Sequence, residues 1–133
     1  MQPDELRKEL SNLRLQNAKT LLLAAEKLME IDDYKSTANR AYYAIFNAMR
    51  AELATIGIDY KKHSAVISAF RLNFIKNNVL DTALSDIITS LFRVRNDADY
   101  NDYYVISKAD VTIQLENAKV FVAAVEAHLN TIQ

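Results

Sequence analysis

Arg95, Asn96, Asp99 and Tyr100 lie close together in the run Arg93-Val94-Arg95-Asn96-Asp97-Ala98-Asp99-Tyr100. A guanidinium grips phosphate or carboxylate through a planar fork of donors, and an amide beside it adds a further donor and acceptor. Asp99 follows Arg95 by four, so on a helix the two share a face and can pair. Two readings follow. One is a structural Arg95–Asp99 ion pair, or an arginine reaching out at a fraying helix end. The other is a polar pocket where Arg95 and Asn96 are presented to an anionic ligand. Tyrosines crowd the same region: Tyr100, Tyr103 and Tyr104 fall in one short window, and Tyr42 and Tyr43 are adjacent. Such side chains pack at core edges and interfaces, the favoured reading here, and beside an arginine they also stack on bases. His63 follows Lys61 and Lys62 and is expected as a solvated loop residue, with an acid–base role left open. His128 lies far along the chain, and neither histidine has a second one at metal-ligand spacing, so no metal site and no cofactor is expected. With one glycine, the chain has no phosphate-cradling glycine loop, and it has no nucleophile elbow or zincin histidine pair.

The elements that must position these groups read as helices. One glycine and one proline in 133 residues leave little turn chemistry for a sheet. Five helices are expected. The first, about Asp4 to Ile31, starts at Pro3-Asp4-Glu5 and carries a stripe of Leu6, Leu10, Leu13, Leu21, Ala24, Leu28 and Ile31, which Asn17 interrupts as a polar residue near the bundle end or one fixing register. Asp32 and Asp33 break it and can cap the second helix, about Tyr34 to Ile56. That helix has a main stripe through Ala38, Ala41, Tyr42, Ile45, Ala48, Met49, Leu53 and Ile56, with Tyr43 and Phe46 on another side. Being apolar on two sides marks it as central, and Gly57 follows where a left-handed cap belongs. The third helix, about His63 to Asn77, faces Val66, Ile67, Phe70, Phe74 and Ile75 inward. The fourth, about Asp81 to Asp99, uses Leu84, Ile87, Ile88, Leu91 and Phe92, and the same periodicity carries Arg95 to the buried side. After a loop through Asn101-Asp102-Tyr103-Tyr104, Ser107 and Asp110 form a capping-box pattern. The fifth helix, about Lys108 to Ile132, has a regular seam from Val111 to Ile132.

Half the residues are apolar, enough to build a core, and the length fits one domain spanning 1–133. Sixteen basic and 17 acidic side chains give a net charge of −1, which argues against coating nucleic acid by bulk charge; an RNA contact would need a local patch. Cysteine is absent, which removes disulfides and thiolate metal sites. No apolar run approaches membrane-spanning length, and Met1 to Leu10 lacks the apolar stretch of a secretion signal, so a soluble cytoplasmic protein is expected.

Three segments together resemble the HEPN domain family: Ser36-Thr37-Ala38-Asn39-Arg40-Ala41-Tyr42-Tyr43-Ala44-Ile45-Phe46, Lys62-His63-Ser64-Ala65-Val66-Ile67-Ser68-Ala69-Phe70, and Arg93 to Tyr100. Each is weakly specific alone; their order and spacing are more so. The resemblance implies an all-α up-and-down bundle that dimerises. It implies either an RNA-cleaving or RNA-processing role, or a role beside a minimal nucleotidyltransferase in a two-gene module. In a toxin–antitoxin arrangement of that kind, the partner adds AMP to a tyrosine near the motif; here Tyr100, Tyr103 and Tyr104 are the candidates. The family's nuclease motif is an arginine followed after four to six residues by histidine, the two sharing a cleft. In this chain Arg95 and Asn96 match, but Tyr100 stands where the histidine is expected, and a phenol is a poor proton shuttle at neutral pH. The expected site is therefore Arg95, Asn96, Asp99 and Tyr100, with Arg40 and Tyr43 as neighbours, in a homodimer cleft that binds a nucleotide or an RNA phosphate. The alternatives are a metal-independent ribonuclease toxin using Tyr100 or His63 in place of the histidine, and a plain helical interaction module.

Overall fold

A computed structural model describes residues 3–132; Met1, Gln2 and Gln133, which the expected single unit includes, lie outside the described residues. Among these the chain is helical, with no strand: α1 (Pro3–Glu30), α2 (Tyr34–Thr55), α3 (His63–Phe70), a π turn over Arg71–Ile75, α4 (Ala83–Tyr100) and α5 (Lys108–Ile132).

Local chemistry sets the boundaries. At the end of α1, Asp32 takes φ +60°, and the amides of Asp32 and Asp33 return to the carbonyls of Met29 and Leu28 at 3.1 and 3.0 Å. This double closure stops a helix and turns the chain. Asp33 then caps α2, its Oδ1 accepting from the Ser36 amide at 3.2 Å. Gly57, at φ +76°, ends α2 in the same way, with Gly57 and Ile58 amides bonded to Ala54 and Leu53 carbonyls. Asp81 Oδ1 accepts from the Ala83 amide at 2.8 Å, and Ser107 Oγ accepts from the Asp110 amide at 3.0 Å, so both residues act as caps just outside α4 and α5.

The third helix departs from a continuous α-helix. From Arg71 to Ile75 the turn widens, and the Lys76 amide reaches the Arg71 carbonyl five residues back at 2.8 Å. All five inward residues expected there, Val66, Ile67, Phe70, Phe74 and Ile75, are buried.

The centre of the molecule is α2, which packs against each of the other helices. Tyr42, Ile45, Met49 and Leu53 are fully buried against Val66 and Phe70 of α3, Ile88 and Leu91 of α4, and Phe121, Val125 and Leu129 of α5. Each fully buried aliphatic or aromatic side chain contributes about 1.5–3 kcal/mol of burial free energy. A smaller cluster is made by Ala38, Val94, Ile106 and Val111, with Met29, Tyr34 and Tyr104 against it.

The stripe expected for α1 is corrected. Leu6, Leu13 and Ile31 are exposed, Leu13 at 58%, while Ser11, Arg14, Leu15, Ala18 and Ala25 face the bundle. Asn17 is exposed and has no register role. A face of small and polar residues lets α1 lie close against α2, and the leucine spacing misled because leucine is also common on exposed helix surfaces.

Candidate functional site

Three elements converge at one end of the bundle. Tyr42 and Tyr43 come from the third turn of α2, His63 is the first residue of α3, and Arg95 sits in the last part of α4. Adjacent positions on a helix diverge by about 100°, so Tyr42 enters the core while Tyr43 lies at its rim. The projected inward position of Arg95 is observed: its side chain is 11% exposed.

The guanidinium is gripped from several sides. Its Nη2 donates to the Tyr43 hydroxyl at 2.8 Å and its Nη1 to Asn96 Oδ1 at 3.0 Å. Its carbon lies 5.3 and 5.2 Å from the ring centroids of Tyr42 and Tyr43, and 5.7 Å from that of Tyr100. These are cation–π distances. Asp99 Oδ2 is 3.0 Å from Nε, an ion pair whose N–H is not aligned as a hydrogen bond, so Nε keeps an unmet donor. Two of the five N–H groups of the fork are thus committed to hydrogen bonds, and a third, on Nε, lies against the Asp99 carboxylate. Asn39 Nδ2 donates to the same Asp99 oxygen at 3.2 Å, and Arg40 Nη1 donates to Asn39 Oδ1 at 2.7 Å. A polar chain therefore runs from Arg40 through Asn39 and Asp99 to Arg95 and Tyr43.

His63 is corrected from a solvated loop residue to a member of this cluster. Its Nδ1 is 2.9 Å from the Tyr42 hydroxyl, and its ring lies 4.3 Å from that of Phe46 and 5.7 Å from those of Tyr42 and Tyr43. Burial, and secondly the charge of Arg95, hold the imidazole below its ordinary value of 6.5, so it is neutral at pH 7. Burial pushes the Tyr42 phenol far above the usual range, which keeps it protonated. Either the phenol donates to a bare Nδ1, or Nδ1–H donates to the phenol oxygen and Nε2 is left with a free lone pair.

Of the residues expected at the site, Tyr43, Arg95, Asn96, Asp99 and Tyr100 are together, Tyr100 over the guanidinium from an otherwise exposed position. Arg40 is exposed and joins only through Asn39. Tyr103 is 94% exposed on the loop after α4, whereas Tyr104 turns into the small cluster beside Val111. Sequence reasoning missed Asn39 and the Tyr42–His63 contact; the α2 stripe placed Tyr42 inward, but nothing local to His63 marked its partner.

Elsewhere, two buried charged side chains, Glu52 and Arg14, have ionic partners. Glu52 is 0% exposed, and both its oxygens approach His128 Nδ1, at 2.8 and 2.7 Å. Burial raises the Glu52 carboxyl, and the His128 contact opposes that shift. The sequence reading did not single out Glu52, although it lies four after Ala48 and seven after Ile45, spacing that puts it on the buried face of α2. Arg14 and Arg50 both reach Asp59 Oδ1 at 2.7 Å, and their hydrogen bonds lower its carboxyl. Among the described residues no His/Cys/Asp/Glu group is arranged to hold a metal ion, and no helix is long and apolar enough to cross a membrane.

Comparison with known proteins agrees with this architecture. The HEPN domain profile matches residues 11–128. The chain is 32% identical over 123 residues to a protein of Methanocaldococcus jannaschii named as a candidate toxin, covering 92% of this chain and 83% of that one. A second protein of the same organism, also named as a candidate toxin, is 36% identical over 96 residues, 72% of this chain and 71% of its own. A UPF0332 protein of Thermotoga maritima is 29% identical over 109 residues, 82% of this chain and 83% of its own. With a profile match over most of its length and relatives this similar, the chain belongs to the HEPN domain family.

Proposed function

We propose that this HEPN protein acts in a two-gene module with a minimal nucleotidyltransferase, and that the Arg95 cluster binds an RNA or nucleotide phosphate in a cleft that two copies complete. The supporting observation is the state of Arg95: an inward guanidinium with uncommitted donors, ringed by three tyrosine faces, beside a neutral histidine. A structural ion pair alone does not need three aromatic rings or an unmet donor. A phosphate entering beside Nε displaces the misaligned Asp99 carboxylate and gains two parallel charge-assisted bonds. The names of the two Methanocaldococcus relatives favour a toxin-like role. Co-expression with the nucleotidyltransferase of an adjacent gene tests the module: co-purification, light scattering at dimer mass, and a mass increase of one AMP on Tyr100, Tyr103 or Tyr104 are expected. A monomer that neither retains the partner nor binds RNA refutes it.

His63 favours a second reading, metal-independent RNA cleavage. Tyr100 replaces the motif histidine, but His63 supplies a neutral imidazole in the same cluster. The 2′-hydroxyl of RNA attacks its own phosphorus, His63 Nε2 takes the hydroxyl proton, Arg95 opposes the charge on the phosphorane oxygens, and the 5′-oxygen leaves protonated from water, giving a 2′,3′-cyclic phosphate. Cleavage of labelled RNA that His63→Ala abolishes while binding survives supports this reading; binding without cleavage at any protein concentration leaves the binding role.

A further inference from the structure

A groove of about 360 Å³ runs between α3 and α4 beside the Arg95 cluster. Its lining explains its shape. Ile67 and Ile88 are buried and form the floor, and half-buried Phe92 makes one wall. Exposed Ser68 and Thr89 carry hydroxyls at the rim, and Arg71 and exposed Arg93 supply two cations; no carboxylate lines the groove, although acidic side chains outnumber basic ones in the chain.

The groove adjoins the cluster through two of its lining residues, Phe92 and Ser64. Phe92 packs edge-on against Tyr42 at 5.8 Å, and Tyr42 bonds His63. Ser64, next to His63, is the groove's lining residue at that end. At the other end Arg71 donates to Ser85 Oγ and O at 3.0 Å and to Thr89 Oγ1 at 2.6 Å. The two helices therefore run antiparallel, with the groove between them leading from the cluster to Arg71. Eight helical positions from His63 to Arg71 make it about 12 Å long.

We infer that this groove receives an unpaired base of single-stranded RNA, adjoining the phosphate held at Arg95. The inference rests on the phosphate reading of that cluster. An apolar slot with an aromatic wall accepts the face of any base; hydroxyls at the rim meet its edge; Arg93 meets the next phosphate. A base inside a duplex is stacked on both faces and cannot enter, so the groove makes the site selective for single strands.

Fluorescence anisotropy with a short labelled single-stranded RNA, the same sequence as a duplex, and AMP as competitor tests it. Ser68→Trp fills the groove from an exposed position and leaves the Arg95 cluster untouched; Arg93→Glu reverses the rim charge. Wild type is expected to prefer the single strand, and each variant to weaken single-strand binding about tenfold, as loss of one base stack does, with an unchanged melting temperature. Equal binding of single strand and duplex, or full binding by both folded variants, overturns the inference. Loss of binding in Arg95→Ala together with full binding in Ser68→Trp and Arg93→Glu keeps the phosphate reading and rejects the groove. No binding of RNA by wild type rejects both. AMP binding that Ser68→Trp abolishes, with RNA binding intact, reassigns the groove to free nucleotides.

Discussion

Arg95→Ala separates bracing from ligand binding, because the structure sets a size for each. The substitution removes the charged hydrogen bond to Tyr43, worth about 1.5–3 kcal/mol for a charged donor. Cation–π contacts to Tyr42 and Tyr43 add about 0.5–1 kcal/mol each. The Asp99 pair adds little: the carboxylate is 21% exposed, four residues away on the same helix, and water replaces the guanidinium. Asn96 is likewise within reach of water. Relaxation and resolvation offset part of this, leaving a loss of about 2–3 kcal/mol. At roughly 4 °C per kcal/mol for a chain of this length, melting should fall by about 8–12 °C. Differential scanning calorimetry measures the fall, and a second scan with single-stranded RNA measures the ligand contribution. RNA should raise the melting point of wild type by mass action and leave Arg95→Ala unmoved. A fall below about 2 °C would refute the bracing geometry. An equal RNA-induced rise in both proteins would refute the phosphate contact.

Three further outcomes follow from the same structure. Because His63 is held below 6.5 in the folded state, its contribution is full above that pH and is lost as pH falls through 6.5 toward the lowered value; urea unfolding of His63→Gln should lack this dependence, and an NMR titration of His63 should show a midpoint below 6.5. Glu52 is shifted the other way: with its carboxyl raised, stability declines as pH rises from 4.5 through the raised value, so Glu52→Gln should flatten that slope and change stability by no more than about 1 kcal/mol, while His128→Ala, which strands the buried acid, should cost about 2–3 kcal/mol. Chemical denaturation across pH checks both, and equal losses for the two variants would contradict the pairing. Gly57→Ala places a side chain at φ +76° and within 2.7 Å of Arg7 Nη2; the exposed guanidinium can swing aside but the backbone cannot, so a loss of about 1 kcal/mol is expected in urea unfolding.

The parts legible in the sequence are those that one element decides alone. The α5 seam is buried from Val111 to Leu129, although Ile132, expected to end it, is exposed; the inward set of α3 is buried as its spacing required, and Gly57 takes the left-handed conformation that its isolation after an apolar stripe foretold. Arg95 was readable because a strong apolar period ran straight into it. The α1 face was not, since its buried side is made of serine, alanine and arginine, whose burial depends on how closely α2 approaches. The Tyr42–His63 bond joins positions 21 apart, and the Glu52–His128 pair joins positions 76 apart. No local pattern encodes such meetings; they exist only once α3 and α5 are placed against α2.

The widened turn at Arg71–Ile75 has a consequence for how this chain tolerates change. A residue added to a helical turn rotates everything beyond it by about 100° relative to everything before it. Here that offset allows Phe74 and Ile75 to stay inside while Arg71 reaches across to Ser85 and Thr89. A homologue lacking one residue in this stretch would close into regular helix, and would have to give up either the inward pair or the arginine bridge. Length variation in this stretch should thus be accompanied by altered side chains at 71, 85 and 89, so that an aligned gap there marks a rewired wall and not a neutral deletion.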